Sequence, residues 1–253
     1  MSTGFMTKTT LVVILSALAA SAIFFTRQDV RSVRDEGPAA YYVLALSWSP
    51  TYCETDGRLR GEPQCTGRRP YAFVLHGLWP QWAKGWPEFC SMARRTFVPE
   101  KLVRSMQDIM PARRQVIHQY RKHGTCTGLA PNAYFAKARQ LFQQIAVPER
   151  YWAPQTHIFV SPGEIRDDFV KANPTLSPAM IAISCGRRGR LRDVRFCFSK
   201  QLEPTGCGAN EDPRRLCRSG RIALPPIPGG RQSLKQTPPT NGKARRYRRS
   251  GPQ

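Results

Sequence analysis

The chain has four histidines, and three fall in two short segments: Phe73–Gln81, reading FVLHGLWPQ, and His118–Cys126, reading HQYRKHGTC. The first sets His76 at the end of an apolar run, beside Gly77, and a strand end is a rigid mount for a side chain aimed into a cleft. The second spaces His118, Gln119, Lys122 and His123 along one predicted helix. Gln119 and His123 share one face of it, His118 and Lys122 another. A lone histidine is more often a satisfied core or surface residue. Three of four grouped with a lysine, glycines and aromatics reverse those odds, and only His157 is left as structural. Imidazole titrates near ~6.5, so one ring can remove a proton while another delivers one near neutrality. That pairing suits RNA, whose ribose carries its own nucleophile. A base frees the 2′-hydroxyl to attack the neighbouring phosphorus, an acid protonates the departing 5′-oxygen, and a lysine offsets charge on the phosphoryl oxygens. The scheme needs no metal or cofactor, and DNA, lacking the 2′-hydroxyl, is inert to it. Zinc fits poorly: residues five apart lie about 140° apart around a helix, unlike the i, i+4 pair of an HExxH site.

Apolar periodicity supplies the elements that must hold these groups. Strands are predicted at 41–46, 71–75, 158–160, 180–183 and 194–198. Helices are predicted over 102–109, where Pro111 interrupts, over 116–123 with Gly124 as the stop, over 134–145 and, briefly, over 163–171. Helices and strands mix without regular βαβ alternation, so the expected fold is a single α+β domain with a largely antiparallel sheet flanked by helices.

Charge points to a polyanionic partner from two directions. Lys and Arg number 39 against 17 Asp and Glu, a net +22. Residues 40–217 alone hold 26 basic and 14 acidic residues. From Arg218 to Gln253 there are nine basic residues, no acidic one and a crowd of prolines. That stretch reads as a basic tail, disordered after about Pro228, free to contact nucleic acid or an anionic surface. At the other end, Leu11–Phe25 is an apolar run of 15 residues containing Ala20-Ser21-Ala22, a small-residue cleavage site. Residues 1–25 therefore read as a secretory signal, with 26–39 as a linker. The run continues through Ile23-Phe24-Phe25, so an uncleaved membrane anchor is the alternative. Eight cysteines with no CxxC pair favour disulfides in an oxidising compartment over a zinc ribbon.

FVLHGLWPQ and HQYRKHGTC, in this order, resemble the two active-site segments of the ribonuclease T2 family. Leu44–Cys53, Asn132–Phe135, Ala182–Cys185 and Val194–Phe198 resemble further parts of it, so the likeness spans about Ala40–Cys217. The resemblance implies an endoribonuclease acting on single-stranded RNA through 2′,3′-cyclic phosphates, and with the signal and the cysteines the expected protein is secreted or periplasmic, and a monomer. It implies His123 as the general base, His76 as the general acid, His118 on the phosphate and Lys122 on the transition state. Trp79 would stack on a base, or is simply a core tryptophan. It also implies the disulfides Cys53–Cys65, Cys90–Cys126, Cys185–Cys217 and Cys197–Cys207. One departure stands out: the family usually has glutamate where this chain has Gln119, which cannot ionise. Gln81 likewise leaves base preference open. The alternative is a weak or inactive binder of RNA or other polyanions on the same fold.

Overall fold

A computed structural model describes residues 39–67, 69–92 and 97–227. The expected signal (1–25), nearly all of the linker (26–39) and the tail from Pro228 lie outside them. Among the described residues there are six strands: β1 Tyr41–Trp48, β2 Phe73–Gln81, β3 Ile158–Val160, β4 Ile181–Cys185, β5 Leu191–Phe198 and β6 Ile222–Leu224. The seven helices among the described residues are α1 Ser49–Tyr52, α2 Pro63–Thr66, α3 Glu100–Met106, α4 Arg113–Lys122, α5 Pro131–Gln144, α6 Pro162–Ala172 and α7 Pro213–Leu216.

Four strands form an antiparallel sheet in the order β2-β1-β5-β4, while β3 and β6 make a small separate ladder. The α+β class is thus as expected. The inner strand β1 is apolar except for Ser47 and buried almost from end to end, as a strand covered on both faces must be. Trp48 at its end meets Phe73 edge to face at 4.9 Å, and Phe73 meets Phe169 of α6 at 5.7 Å. Such aromatic pairs add roughly 0.5–1.5 kcal/mol each beyond area burial.

Local chemistry sets the helix ends. Pro131 and Pro162 sit in the first turns of α5 and α6, where a missing N–H goes unused. Ser161 and Glu164 close a capping box on α6. The apolar stripe Phe135, Ala138 and Leu141 buries α5, and Val116 and Tyr120 bury one face of α4.

Three expectations need correction. His76 lies within β2, not at its end, because the strand runs on through Gly77 to Gln81. Ile109 lies beyond α3 and serves otherwise: its carbonyl accepts the Leu75 N–H at 2.8 Å, covering part of the sheet edge. Helix α4 ends at Lys122, just before Gly124 as expected, and the chain then tightens into a 3-10 turn over Gly124–Thr127 that ends at Gly128 with φ 70°. Gly124 is there for space, because a Cβ would lie 2.4 Å from the Tyr120 ring. Finally, the packed fold continues past Cys217. Ile222–Leu224 pairs with β3, the Pro225 carbonyl accepts from the Trp48 indole at 3.1 Å, and Ile227 N–H bonds to the Pro154 carbonyl at 3.0 Å.

All eight cysteines are paired, as Cys53–Cys65, Cys90–Cys126, Cys185–Cys217 and Cys197–Cys207. These are the pairs that the resemblance implies.

Candidate active site

A register shift aims the first histidine. Ala45 of β1 faces Gly77 and Leu46 faces Leu75, so His76 is an extra residue on β2, bulged out of the ladder. Bulges turn a side chain away from the sheet and recur beside active sites. The edge position of β2 makes room for the bulge and for Pro80, which could not serve in a central strand. Helix α4 is fastened to the bulge, for Gln115 Nε2 donates to the His76 carbonyl at 3.2 Å.

Behind His76 stands a buried carboxylate. His76 Nδ1 lies 3.0 Å from Asp193 Oδ1 and 3.0 Å from Ser47 Oγ. The Ser47 hydroxyl donates to the same Oδ1 at 2.5 Å, and Arg192 Nε donates to Oδ2 at 3.1 Å. Asp193 is 0% exposed. Burial alone would push its carboxyl up. The His76 charge and hydrogen bond, with Arg195 and Arg192, outweigh burial and hold it well below the ordinary carboxylate value. An ionised carboxylate only accepts, so Nδ1 must carry a hydrogen, which leaves Nε2 as the nitrogen available to the cleft.

The second histidine sits in the opposite environment. His123 caps α4, its N–H bonded to the Gln119 carbonyl at 2.9 Å, and is 7% exposed. Burial first, then the positive charges of Lys122, His76 and His118, lower its pKa to about 3. Its Nδ1 is buried and meets no hydrogen-bond partner among the described residues. An imidazolium there would bury an unsatisfied N–H as well as a charge. His123 is therefore neutral at physiological pH, the state a general base requires.

Trp79 stands between the two rings, 5.0 Å from His76 and 5.5 Å from His123. Its indole N–H donates to Gln119 Oε1 at 2.8 Å, and the Arg195 guanidinium lies over its ring at 5.1 Å. Gln119, 2% exposed, thus acts as a neutral acceptor that locks the indole. Gly77 makes this possible, since a Cβ there would lie 2.0 Å from Gln119 Oε1 and 2.6 Å from Trp79 Nε1. On the outer face of α4, partial burial, Lys122, His76 and Arg121 hold His118 below the ordinary imidazole value. Lys122 finds its carboxylate in Glu88, 3.0 Å away. The structure thus brings His76, His118, Gln119, Lys122, His123 and Trp79 to one cleft of about 490 Å³. His157 lies apart, against Phe159.

Residues 39–207 match the model of the Ribonuclease T2 family. The chain belongs to that family. It is a T2-type endoribonuclease by that membership. A ribonuclease of Aeromonas hydrophila is 29% identical over 194 residues, covering 76% of this chain and 87% of the relative. Among solved structures, an RNase-related protein from Calystegia sepium superposes with a TM-score of 0.58 at 19% identity, covering 75% of this chain and 98% of that one. RNase NT in complex with 5′-AMP gives 0.54 at 22% identity, covering 75% and 100%. At these identities the structures speak for the T2 fold alone.

Around the cleft of this T2 enzyme stand side chains that the motifs did not flag. Asp193 and Ser47 come from strands whose sequence signal was only apolar. A lone acid between Leu191 and Val194 in an otherwise core strand was a usable clue, since a buried carboxylate demands partners. Glu88 lies between the two motifs. Trp86, 48% exposed, and Arg192 also line the cleft.

Proposed function

We propose that this endoribonuclease cleaves single-stranded RNA by metal-independent acid–base transphosphorylation, outside the cytoplasm. His123 takes the proton from the 2′-hydroxyl, whose oxygen attacks the adjacent phosphorus. The bond from phosphorus to the 5′-oxygen breaks, and His76 Nε2 hands its proton to that oxygen. The products are a 2′,3′-cyclic phosphate and a free 5′-hydroxyl. His118 holds the phosphate, and Lys122 offsets charge building on its oxygens. Trp79 and the exposed Trp86 offer aromatic faces to the bases. The nucleotide in the RNase NT complex is consistent with an RNA substrate for this relative.

One observation carries this reading: two histidines share a cleft across Trp79, one backed by a buried carboxylate and the other kept neutral by burial. Opposed environments of this kind divide one residue type into acid and base. Four disulfides favour an oxidising, extracytoplasmic setting.

Cyclic-phosphate release from a dinucleotide, measured in EDTA, is the test. His76→Ala and His123→Ala should each lower kcat/KM by ~10²–10⁴-fold, the usual contribution of a general acid or base. Near-normal turnover in either variant, or a strict need for divalent metal, would overturn the mechanism. A wild-type chain that binds RNA without turnover would favour the polyanion-binding alternative.

A further inference from the structure

A second hollow adjoins the catalytic cleft. It encloses about 590 Å³ and is lined by Arg60, Arg114, Arg121, Glu62, Phe89 and His118. His118 also lines the catalytic cleft, so the two share a wall. Arg114, His118 and Arg121 stand at i, i+4 and i+7 of α4, one stripe along its outer face. One carboxylate against three guanidiniums leaves the hollow positive. Arg60 makes an exposed ion pair to Asp56 at 3.9 Å, a contact that counterions screen readily.

Phe89 is the unusual member. It is 59% exposed, and its backbone sits at φ 51°, a left-handed conformation uncommon outside glycine and asparagine. The surroundings enforce it. The Phe89 N–H donates to the Lys122 carbonyl at 2.8 Å, and the next residue is tied to the end of the catalytic helix through Cys90–Cys126. The exposed ring meets His118 edge to face at 6.2 Å. An aromatic face fixed in solvent beside a row of cations is what single-stranded nucleic-acid sites are made of: stacking for a base, guanidiniums for its phosphates.

We infer that this hollow is a distal subsite for single-stranded RNA, holding a nucleotide beyond those at the scissile bond, its base on Phe89 and its phosphates on Arg60, Arg114 and Arg121. The inference rests on the endoribonuclease mechanism proposed above. It gives the folded domain a grip on longer substrates of its own, beside that of the basic tail.

The test compares a dinucleotide with oligonucleotides lengthened on the 5′ or the 3′ side. The variants are Arg60→Gln with Arg114→Gln, Phe89→Ala and Phe89→Trp. The arginine double variant should keep wild-type kcat/KM on the dinucleotide and lose about tenfold on one lengthened series. Its salt slope should shrink by roughly 1.4, two phosphates at about 0.7 each. Phe89→Ala should lose about tenfold more on that series than on the dinucleotide, and Phe89→Trp should restore it. A parallel arm measures anisotropy of a labelled octanucleotide on His123→Ala chains carrying the same changes, and the same losses should appear without turnover. Equal losses on both substrate lengths, or none on either, would overturn the subsite. Failure of the wild type to cleave the dinucleotide would overturn the mechanism instead, and the binding arm would still decide the subsite.

Discussion

At the scale of single residues, Asp193 ties the acid to the sheet. Its carboxylate accepts from His76 Nδ1 and so fixes which nitrogen faces the cleft. In Asp193→Asn the amide nitrogen can donate to Nδ1 and favour the wrong tautomer. A comparable change in a serine-protease triad costs about 10⁴-fold in kcat. Asp193→Asn should therefore lower kcat by at least ~10²-fold with KM little changed, and dinucleotide kinetics separate the two. Gln119 makes a complementary case. Its amide keeps Trp79 in place without bringing charge near His123. Gln119→Glu would keep the acceptor and add a negative charge beside the base. A nearby anion favours imidazolium, so the His123 pKa should rise from its depressed value of about 3. The acid limb of the kcat/KM profile should move to higher pH, and an unmoved limb would mean that the introduced carboxyl stays protonated or points away.

At the scale of elements, the bulge in β2 and the close approach of α4 decide where the histidines point. Gly77→Ala would drive a methyl into Gln119 and the Trp79 indole. It should lower the unfolding midpoint and dinucleotide turnover together, as denaturant melts and kinetics would show. The Cys90–Cys126 bond should matter more to catalysis than Cys53–Cys65. It joins the loop bearing Glu88 and Phe89 to the turn just past His123, whereas Cys53–Cys65 closes a loop that contributes no lining residue to the catalytic cleft. Serine pairs at each site, assayed on the dinucleotide, test this. Much of this level was legible in the sequence. The strands at 41–46 and 194–198 and the helices at 116–123 and 134–145 showed in apolar periodicity, and the motifs marked His76, His118, Lys122 and His123. The bulge was not legible, because it is a mismatch in register between two strands and neither strand alone encodes it. Asp193 lies 117 residues from its partner His76, so only the sheet order β2-β1-β5 brings them together across Ser47. The three residues of β6 were too few to carry a pattern and sat in a basic, proline-rich context.

At the scale of the whole molecule, the packed domain reaches at least to Ile227. Chains cut after Cys217 should lose stability, because they lose the β3 partner and the acceptor for the Trp48 indole. Chains cut after Pro228 should melt like the full chain and cleave the dinucleotide equally well. They should act less on long RNA, having lost seven cations between Gly229 and Gln253. Thermal melts and paired substrate assays distinguish the two cuts. Stability should also fall in acid, with a definite sign. His123 is depressed on folding, so the unfolded chain binds the extra proton first, from its ordinary value near ~6.5 downward. Its contribution is complete above that value and declines as pH falls towards about 3. His123→Gln should flatten this part of the pH dependence of the unfolding midpoint, and an unchanged slope would mean that the histidine is not held neutral.

A chain that degrades RNA is a hazard to the cell that translates it. The bond between Cys90 and Cys126 bears on that hazard, because cytosolic thiols keep such pairs reduced. Before oxidation nothing covalent joins the loop of Glu88 to the turn after His123, so only hydrogen bonds and the Lys122–Glu88 ion pair hold the cation and the base against that loop. We expect the reduced chain to spare its maker's transcripts and to become active only on oxidation. Comparing turnover of the same chain before and after thiol oxidation checks this, and full activity of the reduced form would show that the producing cell needs some other safeguard.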